Sequence, residues 1–403
     1  MVSLECPRLR PGLAAARDEN DPFHVFVWDQ LRLNQQPQRL SVFEFSWMQL
    51  FDGERTLRDI QAEAMRQIGG QILALDLFTA LVQRLDEALL LESPRFHERL
   101  SSPIREPACI GCYAAEPEVL RQQLERLFTD PRGPGLPREP KPDGRLRAAL
   151  VPHIDYQRGG VTFAWGFREI FERTDASLFV IIGTSHYSAQ RFTLTRKHFK
   201  TPFGIVPTDQ TYIDRLVAHY GAGLFADELA HLPEHSIELE VVFLQYLYNG
   251  RRPFRIVPLV VGSFHDAVET GAAPCSHGDI GRMIEALRRT EDEASEPICY
   301  IISGDLAHIG PKFGDATLVD QSLLTHSREQ DQGILRRAET AEAAGFFRFI
   351  AEEKDRRRIC GLPPTYTVLE AFQPSEGKLL HYDQHVHPGG FESVSFASVT
   401  FYR

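Results

Sequence analysis

The sequence predicts an α/β protein with a mostly parallel central sheet flanked by helices, preceded by a small winged-helix domain. Three observations predict it. From Leu146 onward, short apolar runs alternate with amphipathic segments, the pattern of helices packed on a largely parallel sheet. The first hundred residues instead offer one short strand and three short amphipathic helices. Between the two regions lie a polar join and a stretch too rich in Pro and Gly for regular structure. The expected boundaries are residues 1–100 for the front domain and 106–403 for the α/β domain.

Taken in order, Val25 to Trp28 reads as a strand, and Phe43, Trp47, Leu50 and Phe51 share one helical face. Thr56, followed three residues later by Asp59, predicts a capped start to a second helix with core face Leu57, Ile60, Ala64 and Ile68. A third helix turns Leu77, Phe78, Leu81, Val82, Leu85 and Leu89 to the same core. Ser93 to Arg105 is the polar join, a helix spans Glu118 to Phe128, and Pro131 to Gly144 is irregular. Buried strands are expected at Leu146–Val151, Leu178–Ile182, Ile256–Val261 and Ile298–Ile302. Helices are expected at Phe163–Phe171, Asp209–His219, Ile237–Tyr248 and Asp279–Leu287. Leu379–Tyr382 and Val394–Phe401 read as added antiparallel strands.

Composition narrows the function. The chain has 403 residues, 43% of them hydrophobic and 25% charged, enough for a sizeable core in two or three domains. A net charge of -11 opposes nucleic-acid binding, which needs a basic surface. Residues 1–100 hold 11 Lys and Arg against 15 Asp and Glu, so a winged helix there is not expected to bind DNA. No apolar segment is long enough for a signal peptide or a membrane span, so a cytoplasmic location is expected. The six cysteines are then expected to be reduced.

In an open α/β sheet, ligands collect past the carboxyl ends of the strands. "LVPHIDY" puts His153 there, "VIIGTSHY" puts His186 there, and "IISGDLAHIG" puts Asp305 and His308 there. Imidazole and carboxylate are the usual partners of Fe, Zn and Cu. In "PEHSIELE", His235 and Glu238 lie three apart at a helix start and share a face, which suits acid/base work or support of a ligand; the alternative is that Glu234 and Glu238 serve the helix dipole. Cys360 follows Arg356, Arg357 and Arg358, which would favour its thiolate, although a buried inert cysteine is the ordinary reading. Cys109 and Cys112 form a CxxC with no second pair, so the motif reads as incidental. His385 and His387 read as a surface loop.

Together "VPHIDYQRGG", "VIIGTSHY", "KTPFGIVPTD", "EHSIELEVVFLQYL", "RIVPLVVG", "SGDLAHIG" and "ICGLPPTY" resemble the Memo family, protein B of the AmmeMemoRadiSam system, from about Cys109 to the end. The resemblance implies a class III extradiol dioxygenase-like fold, with His153, His186 and Cys360 as metal ligands and Asp305, His308 and His235 in the same pocket. Fe(II) or Cu is the implied metal, and a cysteine among the ligands favours copper or a redox role over ring cleavage. Where the family commonly has "PHAGY" this chain has "PHIDY", so Ile154 and Asp155 are expected to narrow or charge the pocket mouth. Leu40 to Glu92 is similar to the PqqD-like fold, a peptide-recognition module. Three functions follow as expectations: a metal-dependent redox protein acting on a small molecule or peptide, a peptide-binding scaffold for a radical-SAM or AMMECR1-like partner, or an extradiol dioxygenase.

Overall fold

The computed structural model describes residues 4–31, 33–34 and 36–403. The chain divides into two compact units, Met1–Pro103 and Ile104–Arg403.

The first unit, where the sequence predicts a small winged-helix domain, has three strands followed by four helices among its described residues. Strands β1 (Leu13–Asp18), β2 (Asp21–Asp29) and β3 (Gln38–Ser41) pair antiparallel in that order. Helix α1 (Val42–Met48) begins on a capping box between Ser41 and Glu44, and α2 (Leu57–Gln67) on the expected one between Thr56 and Asp59. Helices α3 (Leu75–Glu87) and α4 (Pro94–Ser101) complete the unit. Trp47 packs on Phe78 with ring centroids 4.7 Å apart, and Ile60, Ala64, Leu81, Val82 and Leu85 close around them. Each such apolar side chain contributes about 1.5–3 kcal/mol on burial.

Three details differ from the sequence reading. Phe43 and Leu77 face outward, because α1 and α3 each turn a narrower stripe to this thin core. Leu89 lies past the end of α3 with a positive φ of 57°. The polar join contains α4, which Ser93 caps by accepting the Phe96 N–H and which is anchored by the buried Phe96.

In the second unit β4 (Ile104–Arg105), α5 (Pro117–Thr129), β5 (Leu146–Val151), α6 (Tyr156–Arg173) and β6 (Leu178–Thr184) come first. Strands β7 (Phe192–Leu194), β8 (His198–Thr201) and β9 (Gly204–Val206) follow, then α7 (Gln210–Tyr220), α8 (His235–Tyr248), β10 (Arg255–Val261), α9 (His265–Thr270) and α10 (Gly278–Asp292). The chain ends with β11 (Ile298–Ser303), β12 (His308–Ile309), α11 (Gln321–Glu339), α12 (Ala343–Glu352), α13 (Leu362–Phe372), β13 (Glu376–Val386) and β14 (Ser393–Tyr402).

The main sheet runs β12-β14-β5-β11-β6-β10-β7, with β13 also paired to β14. Its centre, β5-β11-β6-β10, is parallel. Strands β7, β12, β13 and β14 are antiparallel additions, so the whole sheet is mixed around the expected parallel centre. The four central strands are buried on both faces, which is why each reads as an unbroken apolar run. Alternate residues point to opposite faces: Leu150, Ile182, Leu259 and Ile302 pack into one core with α7, α9, α10, α12 and α13. Val151, Ile181, Val260 and Ile301 pack into the other with α5, α6 and α8. A separate small sheet joins β4, β8 and β9. No helix among the described residues is long and apolar enough to cross a membrane.

Candidate metal centre

Strands β5, β11 and β6 are neighbours and end level: Ser303 pairs with Val151 on one side and with Gly183 on the other. Their carboxyl-end loops therefore leave the sheet side by side. The first carries His153, the second Asp305, and the third His186. Two further segments complete the group, the first turn of α8 with His235 and the turn before α13 with Cys360.

His153 is 2% exposed and sits at the centre. Its Nε2 lies 3.2 Å from Cys360 Sγ and 3.8 Å from Asp305 Oδ2. Its Nδ1 lies 3.3 Å from Ser303 Oγ on the opposite side of the ring. The ring centroid is 5.1 Å from that of His186 and 5.2 Å from that of His235, while His186 and His235 are 4.3 Å apart. His186 is fixed from behind, its backbone N–H donating to Glu234 Oε2 at 2.8 Å and its Nδ1 to Oε1 at 2.9 Å. Glu234 is also the N-cap of α8, with Oε1 accepting the Ser236 N–H at 3.0 Å.

Cys360 reaches His153 because two backbones meet there with no Cβ between them. A Cβ on Gly304 would lie 2.4 Å from Gly361 Cα, and Gly361 N–H donates to the Asp305 carbonyl at 2.8 Å. The Asp305 N–H in turn points at Cys360 Sγ at 3.3 Å, and Asp305 Oδ1 accepts the His153 N–H at 3.1 Å.

Burial holds the His153 pKa well below its ordinary value, with the His186 charge adding to the effect, so the ring is a neutral donor. Burial opposes charge on His186 too, but the Glu234 carboxylate outweighs it and raises the pKa. Burial likewise works against the Glu234 charge, and the His186 and His235 imidazoles overcome it, holding that carboxyl far below the usual range. Burial pushes the Cys360 thiol well up and the neighbouring Asp305 charge pushes it further. Burial raises Asp305 despite the opposing pull of His308.

Among the described residues, two groups of His, Cys, Asp and Glu have donor atoms all within 4.8 Å of one another: His153, His186 and His235, and His153, Asp305 and Cys360. They share His153. Metal–ligand bonds of about 2.0–2.3 Å set ligand atoms on one ion roughly 3–4 Å apart, so the spacing suits a single cation. The metal expected from the sequence has a fitting donor set in imidazole nitrogen, thiol sulfur and carboxylate oxygen. His186 and His235 keep side-chain exposures of 31% and 28%, against 2% for His153, so the group opens to solvent on their side. His308 stands just beyond on β12, where Nδ1 lies 3.1 Å from the carbonyls of Leu306 and Arg358. Two carbonyls can only accept, so Nδ1 carries the proton and Nε2 is an acceptor; burial lowers its pKa.

The structure thus gathers His153, His186, His235, Asp305 and Cys360, with His308 adjacent. Other sequence expectations do not survive. Glu238 shares no work with His235: it is fully buried on the far side of α8, where it pairs with Arg105 and accepts from Tyr113 and from the Ala108 and Cys109 N–H groups. Arg357 is committed to Asp331 and Glu353, and Arg358 to Asp315, so this basic run does not lower the thiol pKa. Ile154 is buried in the core beside Gly159, and Asp155 caps α6 and pairs with Arg158, so neither charges the mouth. His385 lies within β13 rather than a loop.

Sequence reading gave Glu234 only a helix-start role, which it has as the N-cap of α8, and did not single out Ser303. Glu234 stood directly before His235 in "PEHS", but only the fold brings it under His186, 48 positions away.

A family model described as Memo-like protein matches residues 105–400. A MEMO1 family protein of Methanopyrus kandleri is 30% identical over 309 residues, which cover 74% of this chain and 99% of that protein. One from Thermococcus kodakarensis is 29% identical over 310 residues, covering 74% of this chain and all of that one. A third, from Aquifex aeolicus, is 26% identical over 372 residues, covering 88% of this chain and 90% of that protein. Since the second unit is residues 104–403, an alignment over 88% of the chain necessarily extends into the first unit. Among solved structures, an uncharacterized Escherichia coli K12 protein aligns at a TM-score of 0.38 and 14% identity over 64% of this chain and all of that one, a likeness that supports no argument about function.

Proposed function

The chain belongs to the Memo family, and on that premise we propose that its second unit holds a metal centre used in redox chemistry on a small molecule or peptide. His153, His186 and Cys360 would hold the metal, with Asp305 completing or orienting the set and His235 at its open side. The observation that carries the reading is the orientation of His153: Nδ1 turns to Ser303, and Nε2 turns to Cys360 and Asp305 within ligand spacing.

A bound iron or copper would supply a one-electron couple and an open coordination position. The protein's own residues do the rest. Glu234 fixes the His186 tautomer so that Nε2 is the free nitrogen. Asp305 is held in place by the His153 N–H. His308, with Nδ1–H tied to two carbonyls, presents Nε2 as a proton acceptor close enough to Asp305 to perturb its ionisation. A substrate would approach over His186 and His235, the exposed side. The thiol favours copper or a redox role over catechol ring opening, and the cytoplasmic setting expected from the sequence belongs to the same proposal.

Elemental analysis of anaerobically purified protein offered both iron and copper tests this. One equivalent of either metal, lost in His153→Ala and in Cys360→Ser, is expected. A chain that stays metal-free would end the reading. Ring-opened chromophore from a catechol panel would replace it with the extradiol dioxygenase reading.

One observation favours a second role for the first unit. A cleft of about 400 Å³ opens among Ser41, Phe43, Trp47, Ile68 and Leu77, with Phe43 57% and Leu77 49% exposed. It suits an apolar peptide segment, as a PqqD-like scaffold for a radical-SAM or AMMECR1-like partner would need. Co-purification of such a partner that survives deletion of residues 1–100 would refute this.

A further inference from the structure

Glu240 is the one charged residue of α8 without an evident structural task. Glu234 caps the helix and holds His186, and Glu238 is matched by Arg105. Glu240 is 0% exposed, and neither of its carboxyl oxygens has a hydrogen-bond partner among the described residues. A buried acid left like this is costly and calls for an explanation. Helix α8 packs against β11, the strand that ends in Ser303, and beyond burial the groups that act on the Glu240 carboxyl are the Ser303 hydroxyl and the Asp305 carboxyl. Ser303 Oγ is the atom 3.3 Å from His153 Nδ1.

A serine hydroxyl has one proton to give and two lone pairs to accept with. If His153 presents Nε2 to Cys360 and Asp305, its Nδ1 carries the proton and donates to Ser303 Oγ. The Ser303 proton must then point elsewhere, and Glu240 is the buried acceptor beside it. Helix α8 would thus back two of the clustered imidazoles with carboxyl groups, Glu234 on His186 directly and Glu240 on His153 through one hydroxyl. This also accounts for Ser303 being the last residue of β11, level with the strand ends that launch His153 and His186.

We propose that Glu240 is a positioning residue for His153, acting through Ser303 to fix the Nδ1–H tautomer and aim Nε2 at Cys360 and Asp305. The metal arm of its test rests on the metal reading above; the tautomer arm does not.

The test uses full-length protein with ¹⁵N-labelled histidine, prepared metal-free, with His153 assigned by its loss in His153→Ala. The wild type is expected to show His153 as a single neutral tautomer with Nδ1 protonated. Ser303→Ala and Glu240→Leu are expected to release that preference, and Glu240→Gln, which keeps an acceptor for the serine, to restore it. Affinity for Co(II), measured by chelator competition, is expected to fall about 10- to 100-fold in the first two variants and to recover in the third. A His153 tautomer unchanged in both Ser303→Ala and Glu240→Leu would overturn the proposal, even if Glu240→Leu raises the melting temperature as removal of an unpaired buried acid should. A tautomer change in a protein that binds no Co(II) would uphold the relay and count against the metal reading alone.

Discussion

Glu234 grips His186 with both oxygens, Oε2 on the backbone N–H at 2.8 Å and Oε1 on Nδ1 at 2.9 Å. One carboxylate thereby sets the loop, the ring plane and the tautomer of an imidazole that faces the open side of the cluster. A residue of this kind controls a ligand without being one.

Glu234→Gln should therefore keep the fold and lose metal affinity. The amide still accepts from Ser236 N–H and caps α8, but it no longer stabilises the charge on His186. The expected loss is about 10- to 100-fold in affinity by chelator competition, and stability falls by about 1–3 kcal/mol because the amide NH2 takes the place of the oxygen that accepts the His186 backbone N–H. Unchanged affinity would mean that His186 is not a ligand.

Arg105 and Glu238 should behave in the opposite way. Both are fully buried and pair with each other. Removing one partner strands the other charge, so Arg105→Met or Glu238→Leu should each cost about 3–5 kcal/mol in chemical denaturation. The double replacement should recover much of that loss. Metal stoichiometry of whatever remains folded should be unaffected, because Glu238 faces away from His235.

Gly304→Ala tests the close approach that delivers Cys360. The added methyl would lie 2.4 Å from Gly361 Cα, backbone that cannot move aside without carrying Cys360 with it. The expected outcome is a destabilisation of about 1–3 kcal/mol together with slower access of Cys360 to metal, or faster access to a thiol reagent such as iodoacetamide.

His231 gives the pH dependence. It is fully buried, with Nε2 3.0 Å from the Thr193 carbonyl, and burial lowers its pKa from the ordinary 6.5 to about 4. The unfolded chain then binds the extra proton first as pH falls. Stability is whole above about 6.5 and declines as pH drops toward 4, by up to about 3 kcal/mol from this residue. His231→Gln, which keeps a donor for Thr193, should flatten that part of the urea-denaturation profile between pH 6.5 and 4. An equally steep profile in the variant would assign the acid sensitivity to other groups.

Much of this protein was legible in its sequence. The four central strands announced themselves as apolar runs because they are buried on both faces, and the chemistry-bearing residues directly after three of them pointed to one edge of the sheet. Thr56 with Asp59 marked a helix start because a capping box is local chemistry. His153, His186 and Asp305 were picked out as candidates by strand-end position, and Cys360 only through the resemblance of its motif to the Memo family. What sequence alone could not decide depends on contacts between distant segments. Glu234 and Glu238 are chemically alike and one turn apart on α8, yet one faces the imidazole cluster and the other a buried arginine from residue 105. The arginines before Cys360 suggested a thiolate, but Arg357 is taken by Asp331 from α11 and by the nearby Glu353, and Arg358 by Asp315. Local patterning fixes which residues are buried and where elements begin, since it acts over a few residues. Which buried group meets which is set by the packing of the layers, and that is where the candidate site is made.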